Sequence, residues 1–297
     1  MGKLTTLLLG SQLNSGGSPT PIEKYKPKAI TFRNKGIYTS SQIQDLQSDL
    51  NNIDFSECDC KYLFYHSFSD VGSDFELNLS KGNFKPTTIE NMFEEINIEE
   101  GYNINVNLNN MDFSICTNCS NAFKSSDLIK SIQFPSTIFN IGITNFSSMF
   151  YNCSSLEEVN IDCLNNSNYS TSVAKTGLFD NMFEGCTNLK KISMKNLKAG
   201  VSRLAAKGSF KAMFKNCTNL EEIDIDNLDL NTATQTNLVD IFTNCGANLP
   251  SGQYTKVYVK SAQVQSFIFQ SGRIEVPSGW STSNVIIAGS ADDHRND

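Results

Sequence analysis

Histidine is almost missing from this sequence, and its scarcity limits the chemistry that the chain can carry. Only two histidines occur among the 297 residues. His66 lies in a phenylalanine-rich stretch and His294 in a polar one, so neither stands near a nucleophile or a set of metal ligands. The sequence also has no glycine-rich phosphate loop and no recognisable pair of nucleophile and base. We therefore expect a non-enzymatic protein without a cofactor or a metal.

Two further features are lacking: a long apolar run and an excess of basic residues. No stretch approaches the roughly 18 consecutive apolar residues that a transmembrane helix requires. Lysine and arginine number 24 against 31 aspartates and glutamates, which gives a net charge of −7. Such a balance does not suit a broad nucleic-acid surface. Neither a membrane nor a nucleic acid is an expected partner.

A recurring segment dominates the rest of the sequence. Three nearly perfect copies begin at Met149-Phe150, Met182-Phe183 and Met213-Phe214. Counted from the phenylalanine, each copy has cysteine at +3, leucine at +6 and apolar residues at +9 and +11. The first offsets have helical spacing, and the last two alternate as in a strand. Each repeat is therefore predicted to be a helical turn, a corner and a short strand.

Weaker copies extend the array in both directions. The phenylalanines that open the successive copies are Phe64, Phe93, Phe123, Phe150, Phe183, Phe214 and Phe242. They are 27 to 33 residues apart. A period of about 30 residues with one amphipathic unit per period is typical of a solenoid, in which the repeats stack on one another.

The pattern M-F-x-x-C-x-x-L-x-x-[IV]-x-[IVM] resembles the BspA-type leucine-rich repeat, a family found in bacterial surface proteins and in bacteriophage virion proteins. The resemblance covers residues 55–285, roughly. It implies an α/β repeat fold: a right-handed leucine-rich-repeat solenoid with short parallel strands on one face and a cap at each end. It also implies a binding or structural role without catalytic chemistry.

Composition and pattern divide the chain into five segments. They are a flexible docking segment and linker (1–27), an N-terminal cap (28–55), the repeats (56–255), a C-terminal cap (256–287) and a disordered tail (288–297). The linker assignment rests on the glycine, serine and proline between Gly10 and Pro21. In the C-terminal cap, Trp280 is expected to cover the last coil of the array.

An apolar cluster opens the N-terminal segment. It consists of Leu4, Leu7, Leu8 and Leu9. One interpretation is a short peptide that docks onto a larger assembly and becomes ordered there; the other is a plain disordered tail. Residues 1–6 also fit the formal pattern for myristoylation. As a signal peptide the segment is poor, because its apolar run is short and interrupted.

Aligning the predicted strands gives columns of charge that alternate in sign. One column is Glu158, Lys191, Glu222 and Lys256, and another is Asp162, Lys195, Asp226 and Lys260. Opposite charges on neighbouring strands stabilise a sheet by about 0.2–1 kcal/mol per pair. The columns therefore have a structural explanation. A catalytic pair of carboxylates is the alternative, which the neighbouring lysines do not favour.

The column between these two is polar and is the candidate partner-binding strip. Its members are Gln133, Asn160, Ser193, Asp224 and Tyr258. Polar side chains on a rigid scaffold often carry binding function. Ordinary solvated surface explains the same residues equally well, so both interpretations stay open at this stage.

The nine cysteines are predicted to be structural thiols. Cys153, Cys186, Cys217 and Cys245 share one repeat position, which indicates small core residues. The motifs Cys58-x-Cys60 and Cys116-x-x-Cys119 are weak signals for a metal or redox site.

These observations favour a bacteriophage virion protein associated with the tail, the neck or a fibre. Its expected partners are other virion proteins, bound through the N-terminal segment, and a protein or glycan of the host surface. The alternative is a bacterial cell-surface adhesin. An enzyme with a site on the solenoid is a third and remote hypothesis.

Overall fold

The chain folds as a parallel β-solenoid of about six turns with little helix. The computed structural model describes residues 47, 50–51, 54–65, 68, 73–96, 102–136, 145–164, 178–194, 210–227, 230, 238–270 and 274–295. The predicted repeat solenoid is confirmed at this level. Within the described residues, no helix is both long enough and apolar enough to cross a membrane.

The described residues form ten short strands. They are β1 (Asp54–Ser56), β2 (Phe75–Asn78), β3 (Asn83–Lys85), β4 (Ile104–Asn107), β5 (Ile129–Gln133), β6 (Glu158–Val159), β7 (Lys191–Ser193), β8 (Glu222–Asp224), β9 (Lys256–Val259) and β10 (Val285–Ile287). All their pairings are parallel. One four-stranded sheet has the order β2-β4-β5-β6, a second has the order β7-β8-β9-β10, and β1 pairs with β3.

The predicted register of the repeats is confirmed where the strands pair. Ile132 lies opposite Val159 in the first sheet, and Ile223 lies opposite both Ile192 and Val257 in the second. These apolar residues point into the core, and their polar neighbours point outward. β6 and β7 do not pair as strands, but the main-chain N–H of Lys190 donates to the main-chain oxygen of Glu157 at 3.3 Å. This hydrogen bond connects the coils of the two sheets.

The predicted helical turn at the start of each repeat is wrong. The residues two before and two after the repeat phenylalanine have positive φ angles, for example Asn121 (55°) and Ser125 (54°) around Phe123. The N–H groups of Asn121, Phe123 and Ser125 donate to main-chain oxygens of the next coil at 2.7–3.0 Å. An α-helix directs its N–H groups along its own axis. Here alternate N–H groups point to the neighbouring coil instead, so the segment is a stacked turn.

Asparagine explains how these turns are tolerated. Six of the positive-φ positions are occupied by asparagine: Asn91, Asn121, Asn152, Asn181, Asn216 and Asn244. Asparagine enters the left-handed region more readily than other residues with a side chain. These six asparagines therefore serve the backbone of the turns.

A column of phenylalanine rings runs through the core. Each repeat phenylalanine from Phe64 to Phe242 stacks on the next, with ring centroids 5.0–6.1 Å apart. Trp280 closes the column 5.4 Å from Phe242, as predicted for the C-terminal cap. A second column, which the sequence analysis missed, consists of Phe146, Phe179 and Phe210 at 5.5 and 5.6 Å.

The C-terminal cap contains a helix at Ala262–Ile268, which begins after its N-cap residue Ser261. Val264, Phe267 and Ile268 are buried on one face of this helix. Residues 288–295, which the sequence assigns to a disordered tail, form turns in the structure. This segment turns back over the sheet, where Arg295 forms ion pairs with carboxylates of the array.

Candidate binding groove

The outer face of the strands forms an open groove with a volume of about 790 Å³. All five residues of the predicted strip line it: Gln133, Asn160, Ser193, Asp224 and Tyr258. The parallel register explains this arrangement, because Ser193 lies opposite Asp224 and Asp224 lies opposite Tyr258. The structure thus brings residues that are up to 125 positions apart into one surface.

The two ends of the strip differ in exposure. Gln133 and Asn160 are exposed, whereas Asp224 retains 8% and Tyr258 only 3% of its accessible surface. These two residues of the strip are therefore buried and are not ordinary solvated surface. The cause is the C-terminal segment, because Arg295 lies over both of them.

The strip continues past Gln133 towards the N-terminus, which the sequence analysis did not anticipate. Asn107 lies opposite Gln133, and Asn78 lies opposite Asn107. The side-chain amide of Asn109 donates to Oε1 of Gln133 at 3.1 Å, and that of Asn107 donates to Oε1 of Glu76 at 3.0 Å. This half of the outer strand surface therefore presents amides. The alternating asparagines of β4 were the available signal.

Charged side chains flank the strip as the alternating column predicts. Lys191, Glu222 and Lys256 lie side by side on β7, β8 and β9. Nζ of Lys191 is 3.2 Å from a carboxylate oxygen of Glu222. The other charge column, Asp162, Lys195, Asp226 and Lys260, is only partly visible, because Lys195 lies outside the described residues.

Arg295 closes the C-terminal end of the groove. Its Nη1 donates to Oδ2 of Asp224 and also reaches Oδ2 of Asp226 at 3.3 Å. Its Cζ lies 4.4 Å from the centre of the Tyr258 ring. Its Nε and Nη2 donate to the two carboxylate oxygens of Asp293 at 2.8 and 2.6 Å. A charged guanidinium is thus held by three carboxylates and one aromatic face.

These contacts bias the ionisation of the groups involved. Hydrogen bonds from Arg295 hold the pKa of Asp293 well below its usual range, and the hydrogen bonds to Asp293 and Asp224 raise the pKa of Arg295. Burial raises the pKa of Tyr258, and the carboxylate of Glu222 adds to that effect. The guanidinium and the Asp293 carboxylate therefore stay charged, and the phenol stays neutral, at physiological pH.

Ser193 adds an unused polar group to this end of the groove. Its Oγ is buried and has no hydrogen-bond partner among the described residues. It belongs to the strand next to Asp224, in register with it. A buried hydroxyl without a partner is uncommon in a native structure.

The cysteines provide neither a metal site nor a reactive nucleophile in the described part of the chain. All nine are buried and reduced. The sulfurs of Cys116 and Cys119 are 3.7 Å apart, but no group of three or more histidine, cysteine, aspartate or glutamate side chains is placed to hold a metal among the described residues. Burial raises the pKa of the Cys119 thiol, which keeps it protonated and unreactive.

Several predicted features lie outside the described residues. They are the docking segment at 1–27 with Leu4, Leu7, Leu8 and Leu9, the N-terminal part of the cap, and His66. Within the predicted N-terminal cap, Gln47 and Leu50 are helical, and Leu50 is fully buried.

No protein-family model, no curated protein and no solved structure matches the chain. The chemistry of the groove is therefore the main guide to function. It offers amides at one end and carboxylates with an aromatic ring at the other, which suits recognition of a polar protein surface.

Proposed function

We propose that the protein is a non-enzymatic interaction protein that binds a protein partner along the groove. The observation that carries this proposal is that Gln133, Asn160, Ser193, Asp224 and Tyr258, from five successive coils, line one open surface. A solenoid presents such a surface on a rigid frame. Binding a partner therefore costs little free energy for ordering the surface.

For the biological setting, we propose a BspA-type leucine-rich-repeat protein of a bacteriophage virion, associated with the tail, the neck or a fibre. The repeat sequence at Met149, Met182 and Met213 supports this assignment. The alternative is a bacterial cell-surface adhesin, which the same repeats would suit. The neighbouring genes discriminate the two: capsid and portal genes favour the virion, and export or sorting genes favour the cell surface.

The N-terminal segment supplies the proposed attachment to the particle. Leu4, Leu7, Leu8 and Leu9 would dock onto another virion protein, and the linker from Gly10 to Pro27 could span up to about 60 Å. The repeats would then face a host-surface protein or a glycan. Deletion of residues 1–12 is expected to leave the circular dichroism unchanged and to remove the protein from purified particles. Normal incorporation of the truncated protein would place the anchor elsewhere.

A pair of identical substitutions tests the binding surface. Gln133 is exposed within the groove, and Gln253 is exposed away from it. Fluorescently labelled wild-type protein, Gln133→Arg and Gln253→Arg would be titrated onto cells of the bacterial host. We expect Gln133→Arg to weaken binding about tenfold or more, because a long cation replaces an amide at the contact surface. Gln253→Arg should bind like the wild type. Equal behaviour of the two variants would rule out the groove as the binding surface.

A further inference from the structure

We propose that Asp224, Asp226 and Tyr258 form a subsite for an arginine side chain of the protein partner, and that Arg295 occupies this subsite as a displaceable internal ligand. This inference rests on the proposed binding function of the groove and specifies the chemistry of one end of it. The segment that carries Arg295, residues 289–295, is called the strap below.

The subsite has the two groups that recognise a guanidinium. A carboxylate accepts charge-assisted hydrogen bonds from its N–H groups, and an aromatic ring attracts its flat cationic face. Asp224 accepts from Nη1 of Arg295, Asp226 is 3.3 Å from the same nitrogen, and the ring of Tyr258 lies 4.4 Å from Cζ. A lysine ammonium has neither the planar fork nor the stacking face, so the subsite should prefer arginine.

The solenoid builds the subsite without help from the strap. Asp224 and Tyr258 lie directly opposite each other on β8 and β9, so the strand register fixes their separation. Ser193 lies opposite Asp224 on the other side, and its buried Oγ has no partner among the described residues. A side chain that enters from a partner could therefore use a hydroxyl that Arg295 leaves unused.

The strap is held mainly through charge. Its one apolar side chain, Ala291, is exposed, and turns organise it rather than strand pairing, with Gly289 N–H donating to Asp293 at 2.8 Å. Segments with few buried apolar contacts open at low free-energy cost. Asp293 belongs to the strap and holds Arg295 by two hydrogen bonds, so the guanidinium would leave together with a counter-ion. This pairing makes release less costly than removal of a bare cation.

The experiment uses the full chain and a small probe, N-acetyl-L-argininamide, with N-acetyl-L-lysinamide as the matched control compound. Binding would be followed by NMR shifts of the Tyr258 ring, assigned through Tyr258→Phe. Wild type, Arg295→Ala and the double variant Arg295→Ala/Asp224→Asn would be compared. We expect Arg295→Ala to bind the arginine probe about tenfold or more tightly than the wild type does, because the internal ligand is gone. Arg295→Ala should bind the lysine probe several-fold more weakly than it binds the arginine probe. The double variant should lose binding of both probes.

Three results would overturn the proposal: equal affinity of wild type and Arg295→Ala, equal affinity for the two probes, or retained binding in the double variant. Circular dichroism and thermal melting check that each variant is folded. If Asp224→Asn disturbs folding, Asp293→Asn is the second variant, since it weakens the strap and leaves the subsite intact. That variant should bind the arginine probe more tightly than the wild type, and unchanged affinity would contradict the proposal. Because no partner protein is used, failure here would leave the Gln133→Arg test of the groove unaffected.

Discussion

The thiol of Cys217 donates a hydrogen bond to the main-chain oxygen of Phe183, one coil earlier, across 3.0 Å. The same contact recurs from Cys186 to Phe150 and from Cys245 to Phe214. Each of these oxygens also accepts the N–H of the cysteine in its own coil, as Phe183 does from Cys186 at 3.1 Å. The repeat cysteine is therefore more than a small core residue, because it bridges coils through a donor.

The first prediction concerns this donor. Cys217→Ala should lower the free energy of unfolding by about 1–2 kcal/mol, because it removes a buried sulfur and one hydrogen bond. Cys217→Ser should cost less, since a hydroxyl can still donate; Ser126 occupies the equivalent position and donates to the oxygen of Phe93. Urea denaturation of both variants measures the difference. A serine variant that is less stable than the alanine variant would show that the sulfur contributes only by packing.

The second prediction is a loss of stability at alkaline pH. Burial raises the pKa of the Cys153, Cys186 and Cys217 thiols well above its ordinary value. In the unfolded chain a thiol ionises near pH 8.5, so above that pH the unfolded state releases protons that the folded state keeps. The stability that the neutral buried thiols contribute is thus fully present below about pH 8.5. It is lost as the pH rises towards the folded-state pKa.

The size of this effect follows for one thiol. Between pH 7.5 and pH 10, Cys217 should account for about 2 kcal/mol of lost stability. The free energy of unfolding of wild type and of Cys217→Ser, measured against pH under reducing conditions, isolates the effect of this thiol. Lysine and tyrosine ionisation is common to both proteins and cancels. The wild type should therefore lose stability more steeply. Parallel pH profiles would contradict the assignment of a buried neutral thiol.

The third prediction tests the charge column. Lys191→Glu would place a carboxylate beside Glu222 and replace an ion pair of 3.2 Å by a repulsion. Because the lysine side chain is 63% exposed, we expect a loss of only about 1 kcal/mol at low salt. The loss should shrink in 1 M salt, where screening is strong. Lys191→Gln is the control, which removes the pair without the repulsion. Identical melting of the two variants at low salt would argue against the column.

The fourth prediction concerns a stacked turn. Gly185 has a φ angle of 79°, and a Cβ built there would lie 2.1 Å from Oδ1 of Asn152 in the previous coil. Gly185→Ala should therefore cost more than the roughly 1–2 kcal/mol of a left-handed alanine. In an Asn152→Gly background the clash disappears, and the cost should fall to that range. A double-mutant cycle by chemical denaturation gives the coupling, and additive effects would show that the two turns are not in contact.

The strand half of each repeat could be predicted from the sequence, whereas the turn half could not. Apolar residues at +9 and +11 fix which side of a strand is buried, so the opposition of Ile192 and Ile223 followed directly. The spacing of cysteine and leucine at +3 and +6 is shared by a helix and by the stacked turn. The asparagines at Asn121 and Asn152 were the signal that separates the two, because they mark left-handed backbone.

The contact of Arg295 with Asp224 at the C-terminal end of the groove could not be predicted from the sequence, for a different reason. Arg295 is 71 positions from Asp224, and the intervening chain gives no periodic pattern that brings them together. The polar composition of residues 288–297 is that of a disordered segment. Only the position of β10 next to β9 returns the chain to the carboxylates, and that position depends on the whole C-terminal cap.

Trp280 gives the last coil an optical signal that no other coil has. It is the only tryptophan of the sequence, it is 9% exposed, and its ring packs at 40° against Phe242. Light at the red edge of its absorption excites this side chain without the phenylalanines, so its emission reports on one end of the array, whereas far-ultraviolet dichroism averages over every coil. Comparison of the two signals during denaturation shows whether the last coil unfolds together with the rest of the array or before it.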